Sequence, residues 1–165
     1  MAGRGISNST GSNLEKMVVD QLTRKGFVQV NYLVWERATD KTQYGDELLL
    51  CNVPFTNIYS SKSTTEFKVR SAKHILDIRI ECKWQQSSGS VDEKLPYLYL
   101  NCIEAMPESH IIILIDGPGF RAGAIQWLRD AVKSARYQNA PGQSPKKIEI
   151  MSLSEFLVWI NTTLS

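Results

Sequence analysis

The stretch RIECKWQ carries an acid, a base and an amide at alternate positions. Glu81, Lys83 and Gln85 alternate there with Cys82 and Trp84. Because successive side chains of a strand point to opposite faces, a strand would gather the three polar groups on one face. The roots of Glu81 and Lys83 would then lie about 7 Å apart, so both could reach one phosphate group. This spacing predicts phosphodiester chemistry, although alternating charges are also normal on a solvated strand face.

A metal-assisted phosphodiesterase needs a second acid near the first, because Mg²⁺ prefers carboxylate, water and phosphate oxygens as ligands. Glu66 lies on the preceding predicted strand, which a short turn near 71–73 joins to the strand of Glu81. Asp77 is the alternative acid, but it lies about 13 Å from Glu81 along the same strand. We therefore favour Glu66 over Asp77 as the partner of Glu81.

Glu66, followed by Glu81-Cys82-Lys83 at the end of a hairpin strand, resembles the PD-(D/E)XK nuclease superfamily, in particular small phage or bacterial endonuclease-like proteins. The resemblance implies a Mg²⁺-dependent DNA endonuclease in which Mn²⁺ can substitute. It implies that Glu66, Glu81 and the Cys82 carbonyl bind the ion, and that Lys83 positions or activates water. Gln85 would orient the substrate or Lys83.

The resemblance also implies that Glu15, on the first predicted helix, completes the metal site. Ser12 and Glu15 match a capping box equally well, so helix capping is a second explanation of Glu15. The chain departs from the family pattern in having Glu rather than Asp at position 66 and Thr65 where proline is usual. The longer side chain of Glu66 changes the geometry expected around an ion.

Basic and small polar residues flank the predicted site and could contact a phosphate backbone; they are Lys68, Arg70, Ser88, Ser90 and Lys94. The same charges could simply increase solubility. The resemblance implies duplex or branched DNA as the partner and is compatible with a homodimer. The alternative is a nuclease-fold protein that has lost catalysis and serves in DNA binding or assembly, because folds outlive functions.

Alternating helices and strands must position these residues. Hydrophobic periodicity predicts helices over 12–27, 91–106, 121–138 and 154–164, and strands over 27–37, 48–55, 65–70, 74–85, 110–116 and 146–153. Early strands follow one another directly, whereas later ones alternate with helices. The order predicts an α/β fold with a mixed central sheet and helices on both faces, which is the restriction-endonuclease-like core that the resemblance implies.

Composition places the chain among ordinary globular proteins. The 165 residues fit one domain, which we expect over 13–165 after a flexible Gly/Ser/Asn-rich segment over 1–12. A net charge of +2 does not by itself indicate a nucleic-acid partner. The longest apolar run, at 111–115, is too short to span a membrane. Three cysteines without CxxC spacing are typical of reduced thiols, so we expect a cytoplasmic protein. The resemblance implies that the cell is bacterial or phage-infected.

Overall fold

The structure is a computed structural model that describes residues 7–165, with side chains from residue 13 onward. Its helices are α1 (Ser7–Arg24), α2 (Tyr32–Arg37), α3 (Lys94–Glu104), α4 (Ala122–Lys133) and α5 (Leu153–Thr163). Its strands are β1 (Val28–Asn31), β2 (Glu47–Thr56), β3 (Lys62–Ser71), β4 (Leu76–Trp84), β5 (His110–Asp116) and β6 (Lys147–Met151). They form one six-stranded sheet in the order β1-β2-β3-β4-β5-β6.

The sheet is mixed, as the sequence predicts. Strands β2, β3 and β4 pair antiparallel, whereas β1 with β2, β4 with β5, and β5 with β6 pair parallel. Parallel neighbours need a crossover connection, and helices α2, α3 and α4 provide these connections. The prediction of an α/β fold with helices on both faces is therefore confirmed.

The two faces of the sheet carry different helices. On one side, here called the α1 face, α1 and α5 pack against apolar residues such as Ile80 and Leu114. On the other side, called the α3 face, α3 and α4 pack against Ile111 and Ile113. None of the helices within residues 7–165 has the length and apolar character needed to cross a membrane.

Helix α1 begins earlier than predicted. It starts at Ser7, so Ser12 lies inside the helix, and the predicted capping box of Ser12 and Glu15 is wrong. The segment predicted to be flexible, 1–12, lies outside the described residues over 1–6, and residues 7–12 belong to the helix. The side chain of Glu15 therefore needs another explanation than capping.

The predicted strand over 27–37 is also wrong in its second half. Strand β1 ends at Asn31, whose side chain accepts a hydrogen bond from the backbone N–H of Leu33 (3.0 Å) and so caps α2. Trp35 is then buried against β2, whereas Leu33 and Val34 remain exposed. The capping bond and the burial of one aromatic ring outweigh the β propensity of the segment.

Candidate active site

The ladder between β3 and β4 ends in the middle of both strands. It runs from Ser71↔Leu76 to Phe67↔Ile80. Beyond this pair, β3 continues its pairing with β2, and β4 continues with β5. The two strands therefore separate and leave a fork in the sheet. Glu66 and Glu81 are the first residues on its two sides.

The Glu66 carboxylate crosses the fork. It accepts a hydrogen bond from the backbone N–H of Cys82 (2.7 Å). This bond satisfies a donor that the separating β3 backbone no longer reaches, and it holds the carboxylate beside β4.

The side-chain alternation of β2 reverses at this level. Leu48 and Leu50 pack with Trp35 on the α3 face, whereas Leu49 packs on the α1 face. Strict alternation would put Val53 on the side of Leu49, yet Val53 packs with Leu48 and Leu50. The residue before it, Asn52, has φ +55°. We call Asn52 the pivot of β2.

Strand β3 reverses its alternation opposite the pivot. Asn52 and Glu66 lie between the pairs Cys51↔Phe67 and Val53↔Thr65. Phe67 packs on the α1 face, but Thr65 accepts a hydrogen bond from the Arg79 guanidinium on the α3 face (2.9 Å). As a result, Glu66 points to the α1 face next to Phe67, instead of sharing the face of Lys68.

An open cavity of about 360 Å³ lies on this side of the fork and is called here the α1 cavity. Helix α1 and strands β1, β2 and β3 contribute its lining: Glu15, Lys16, Val19, Gln29, Cys51, Asn52, Glu66 and Phe67. Glu15 thus shares a cavity with Glu66. Burial, and then repulsion from Glu66, raise the pKa of Glu15, while Lys83 opposes the rise.

Glu81 approaches the fork from the α3 face, because it is opposite Ile113 in the ladder with β5. Only 6% of the residue is exposed, and it forms an ion pair with Lys83. Within residues 13–165, its Oε2 atom has no hydrogen-bond partner. Burial raises the pKa of Glu81 to about 7; Lys83 opposes this rise and Glu66 adds to it. The two carboxylates are therefore close enough to interact electrostatically.

Lys83 is the cation of the site. Burial disfavours its ammonium form, but the carboxylates of Glu81 and Glu66 outweigh this effect and raise its pKa. About a third of the side chain is exposed, so the ammonium group can reach solvent or a ligand.

The acid set fits a divalent ion with two carboxylate ligands. The buried Oε2 of Glu81, which has no hydrogen-bond partner among the described side chains, and the nearby Glu66 carboxylate are hard oxygen donors of the kind that Mg²⁺ binds together with water. Among residues 13–165, however, no group of three or more His, Cys, Asp or Glu side chains is arranged to hold a metal. Glu15 lines the cavity beside Glu66, and its predicted role in completing the metal site stays a prediction.

Gln85 lies in the segment that follows β4, and its amide is turned onto that segment. Its Nε2 atom donates to the Ser87 backbone carbonyl (2.5 Å), and the Gln85 backbone carbonyl accepts a hydrogen bond from the backbone N–H of Gly119 (2.8 Å). Gly117, at φ +108°, and Gly119 allow this contact, because a Cβ atom at either position would lie within 2.6 Å of the Gln85–Ser87 segment. Of the other predicted contacts, Ser88, Ser90 and Lys94 are exposed.

Two of the basic residues predicted to contact DNA have partners within the protein. Lys68 bridges Glu108 (2.9 Å) and Asp77 (3.2 Å), with 16% of its side chain exposed. Arg70 lies over the Trp35 ring (5.1 Å). Asp77, the alternative acid, is opposite Arg70 and away from the fork.

Sequence reasoning missed two residues around the fork, Arg79 and Asn52. Arg79 is buried and donates to Glu108, Thr65 and the Val53 carbonyl. Its position between Ile78 and Ile80 was a usable signal, since a cation inside an apolar strand needs a partner. The pivot Asn52 carried no signal in the alternation of β2.

Comparison with known proteins identifies the family of the chain. A comparison with curated proteins and one with solved structures each found no match to this chain. A family model described as a PD-(D/E)XK nuclease superfamily domain matches residues 6–164. Members of this superfamily are nuclease-type hydrolases of nucleic acids and typically use divalent metal ions. The match spans nearly the whole chain, and the chain therefore belongs to the PD-(D/E)XK nuclease superfamily.

Proposed function

We propose that the protein is a Mg²⁺-dependent DNA endonuclease whose active site is the fork between β3 and β4. The observation that carries the proposal is the buried Glu81 carboxylate, which is ion-paired with Lys83 and whose pKa is raised by burial and further by the charge of Glu66. A structural role alone gives no reason to keep an unpaired carboxylate oxygen beside a second acid.

In this proposal Glu66 and Glu81 hold the ion, and the Cys82 carbonyl is available as a backbone ligand. When bound, a divalent ion supplies Lewis-acid stabilisation of the charge that develops on the phosphate. The Cys82 N–H holds the Glu66 carboxylate at the fork and so limits its motion.

Lys83 then stabilises charge and orients the attacking water. Its ammonium lies beside Glu81 and remains protonated at neutral pH because the nearby carboxylates raise its pKa. A protonated lysine donates hydrogen bonds to a phosphate oxygen or to water, but it cannot remove a proton. We therefore assign Lys83 to charge stabilisation and positioning rather than to proton abstraction.

Plasmid cleavage tests the proposal. Supercoiled DNA is incubated with Mg²⁺, Mn²⁺ or EDTA and with wild type, Lys83→Ala or the exposed control Lys25→Ala. We expect metal-dependent nicked or linear product from wild type and control, and at least a hundred-fold loss in Lys83→Ala, the scale found when one charge-stabilising donor is removed. Linear product formed without accumulation of nicked DNA would support a homodimer with two sites.

The same assay distinguishes the alternative function. If the protein binds DNA but neither metal produces cleavage, a non-catalytic nuclease-fold binding or assembly protein is the better explanation. Cleavage of RNA but not DNA would support the same active site with RNA as its substrate.

A further inference from the structure

The pivot Asn52 combines an unusual backbone with a place in the α1 cavity. Its φ of +55° lies in the left-handed region, inside a ten-residue strand. Residues other than glycine rarely adopt this backbone conformation, although asparagine tolerates it better than most. Strained positions of this kind cluster at functional sites.

The left-handed backbone does not by itself explain why residue 52 is asparagine. Glycine would serve the pivot as well, because it populates positive φ without a Cβ penalty. The Asn52 side chain is exposed and lines the α1 cavity together with Glu15 and Glu66. Its carboxamide is therefore available to a ligand that enters from the α1 face.

The charges of the cavity indicate the role of that carboxamide. Two carboxylates, Glu15 and Glu66, line it with one ammonium group, Lys16. Acids alone repel a phosphate, so a substrate needs N–H donors beside them. A carboxamide offers two such donors without adding a charge. The neighbouring amide of Gln29 is turned toward Cys51, with its Nε2 atom 3.5 Å from the sulfur.

We infer that Asn52 is a substrate-binding residue: its carboxamide donates hydrogen bonds to a phosphate of the nucleic acid next to the scissile phosphate. This inference rests on the proposed nuclease function and adds a contact on the opposite side of the fork from Lys83. The pivot thus turns the Glu66 carboxylate and the Asn52 carboxamide toward the same ligand.

Asn52→Gly separates the two roles of the residue, because glycine keeps the pivot and removes only the carboxamide. Affinity is measured by fluorescence anisotropy of a labelled duplex oligonucleotide in EDTA, and KM and kcat by plasmid cleavage with Mg²⁺. We expect Kd and KM to rise about ten-fold, the scale of a hydrogen bond to a charged group, with kcat within a factor of about two.

Salt dependence provides a second readout. Asn52 is neutral, so Asn52→Gly leaves the slope of log Kd against log salt unchanged. Lys16→Ala, from the same cavity, reduces that slope by about one. A merely structural disturbance would lower kcat and the melting temperature together, instead of changing affinity alone.

The outcomes separate the inference from the proposed function. Wild-type Kd and KM in Asn52→Gly, with cleavage still lost in Lys83→Ala, overturn the inference and leave the nuclease assignment standing. A wild-type protein that neither binds nor cuts nucleic acid overturns both. If Asn52→Gly does not fold, Asn52→Asp takes its place, because aspartate also tolerates positive φ; wild-type affinity in that variant overturns the inference.

Discussion

At the scale of single residues, the carboxyl group of Glu81 is buried, and burial disfavours its charged form. Burial raises its pKa to about 7, so the folded protein binds a proton at pH values where the unfolded chain has released it. The contribution of Glu81 to folding stability is therefore fully present below its pKa in the unfolded chain. It is lost as the pH rises through its folded-state pKa of about 7.

Glu81→Gln should become progressively more stable than wild type as the pH rises. With EDTA present, we expect the unfolding free energy of Glu81→Gln to rise by about 3 kcal/mol relative to that of wild type between pH 5 and pH 8. Urea unfolding at several pH values measures this difference. A pH-independent difference would show that Glu81 is not held at a raised pKa.

A divalent ion should reverse that order. If Glu81 and Glu66 bind Mg²⁺, saturating ion at about one hundred times its Kd stabilises wild type by about 2.7 kcal/mol, and Glu81→Gln by much less. Melting temperatures with EDTA and with increasing Mg²⁺ test this prediction. Glu104→Gln is the matched control, because Glu104 is an exposed acid on α3. An equal rise in all three proteins would place the ion elsewhere.

The residues of the site were only partly predictable. Alternation along RIECKWQ correctly put Glu81 and Lys83 on one face, where they form an ion pair. It gave no indication that Glu66 turns to the α1 face, since the reversal depends on a left-handed residue in β2. Such a pivot leaves no periodic signal, because a single φ angle is set by tertiary context.

At the scale of elements, the segment after β4 is held by the loop after β5. Gly119 N donates to the Gln85 carbonyl, and a Cβ atom at Gly119 would lie 2.5 Å from the Ser87 carbonyl. This contact fixes the chain just beyond Lys83.

Gly119→Ala should therefore displace the segment that carries Gln85 and Ser87. We expect a loss of about 2 kcal/mol in unfolding free energy, within the range for overpacking, and lower cleavage activity. Gly123→Ala is the control: nothing lies within 4 Å of its Cβ position, and alanine favours the helix, so stability should stay equal or rise. Equal effects of the two substitutions would contradict a tight contact at position 119.

The sequence predicted most elements but missed the early start of α1 and the helix α2. The apolar run of β5 and the helical spacing of α4 and α5 were strong signals, and all three form. The segment over 27–37 is rich in β-branched and aromatic residues, yet the Asn31 cap starts a helix within it. A single capping bond is local and hard to distinguish from the polar residues that are common in strands.

At the scale of the whole molecule, one buried cation joins the two parts of the sheet that separate at the fork. Arg79 on β4 donates to Val53 and Thr65, on β2 and β3, and to Glu108 (2.5 Å), which precedes β5. Arginine and lysine hydrogen bonds lower the pKa of Glu108 although burial opposes the shift. Sequence reasoning could not pair Arg79 with Glu108, because they meet only after the sheet has formed.

Arg79→Met should destabilise the fold strongly. It leaves Glu108 buried with one fewer partner, so we expect a loss of about 3–5 kcal/mol in unfolding free energy. Lys41→Met removes an exposed ion pair with Glu36 and should cost less than about 1 kcal/mol. Denaturant unfolding compares the two variants, and similar losses would mean that the buried network contributes little.

The reversal of alternation at Asn52 and Glu66 makes the geometry of the proposed active site depend on how β2 and β3 pair. With regular alternation, Glu66 would face Arg79 and Glu108 on the α3 face and would leave the α1 cavity that it shares with Glu15 and Asn52. A chain with β2 and β3 paired out of register would place Glu66 and Asn52 away from the α1 cavity and would lose the proposed nuclease centre. Activity thus reports correct register of the hairpin more sharply than helix content or compactness does.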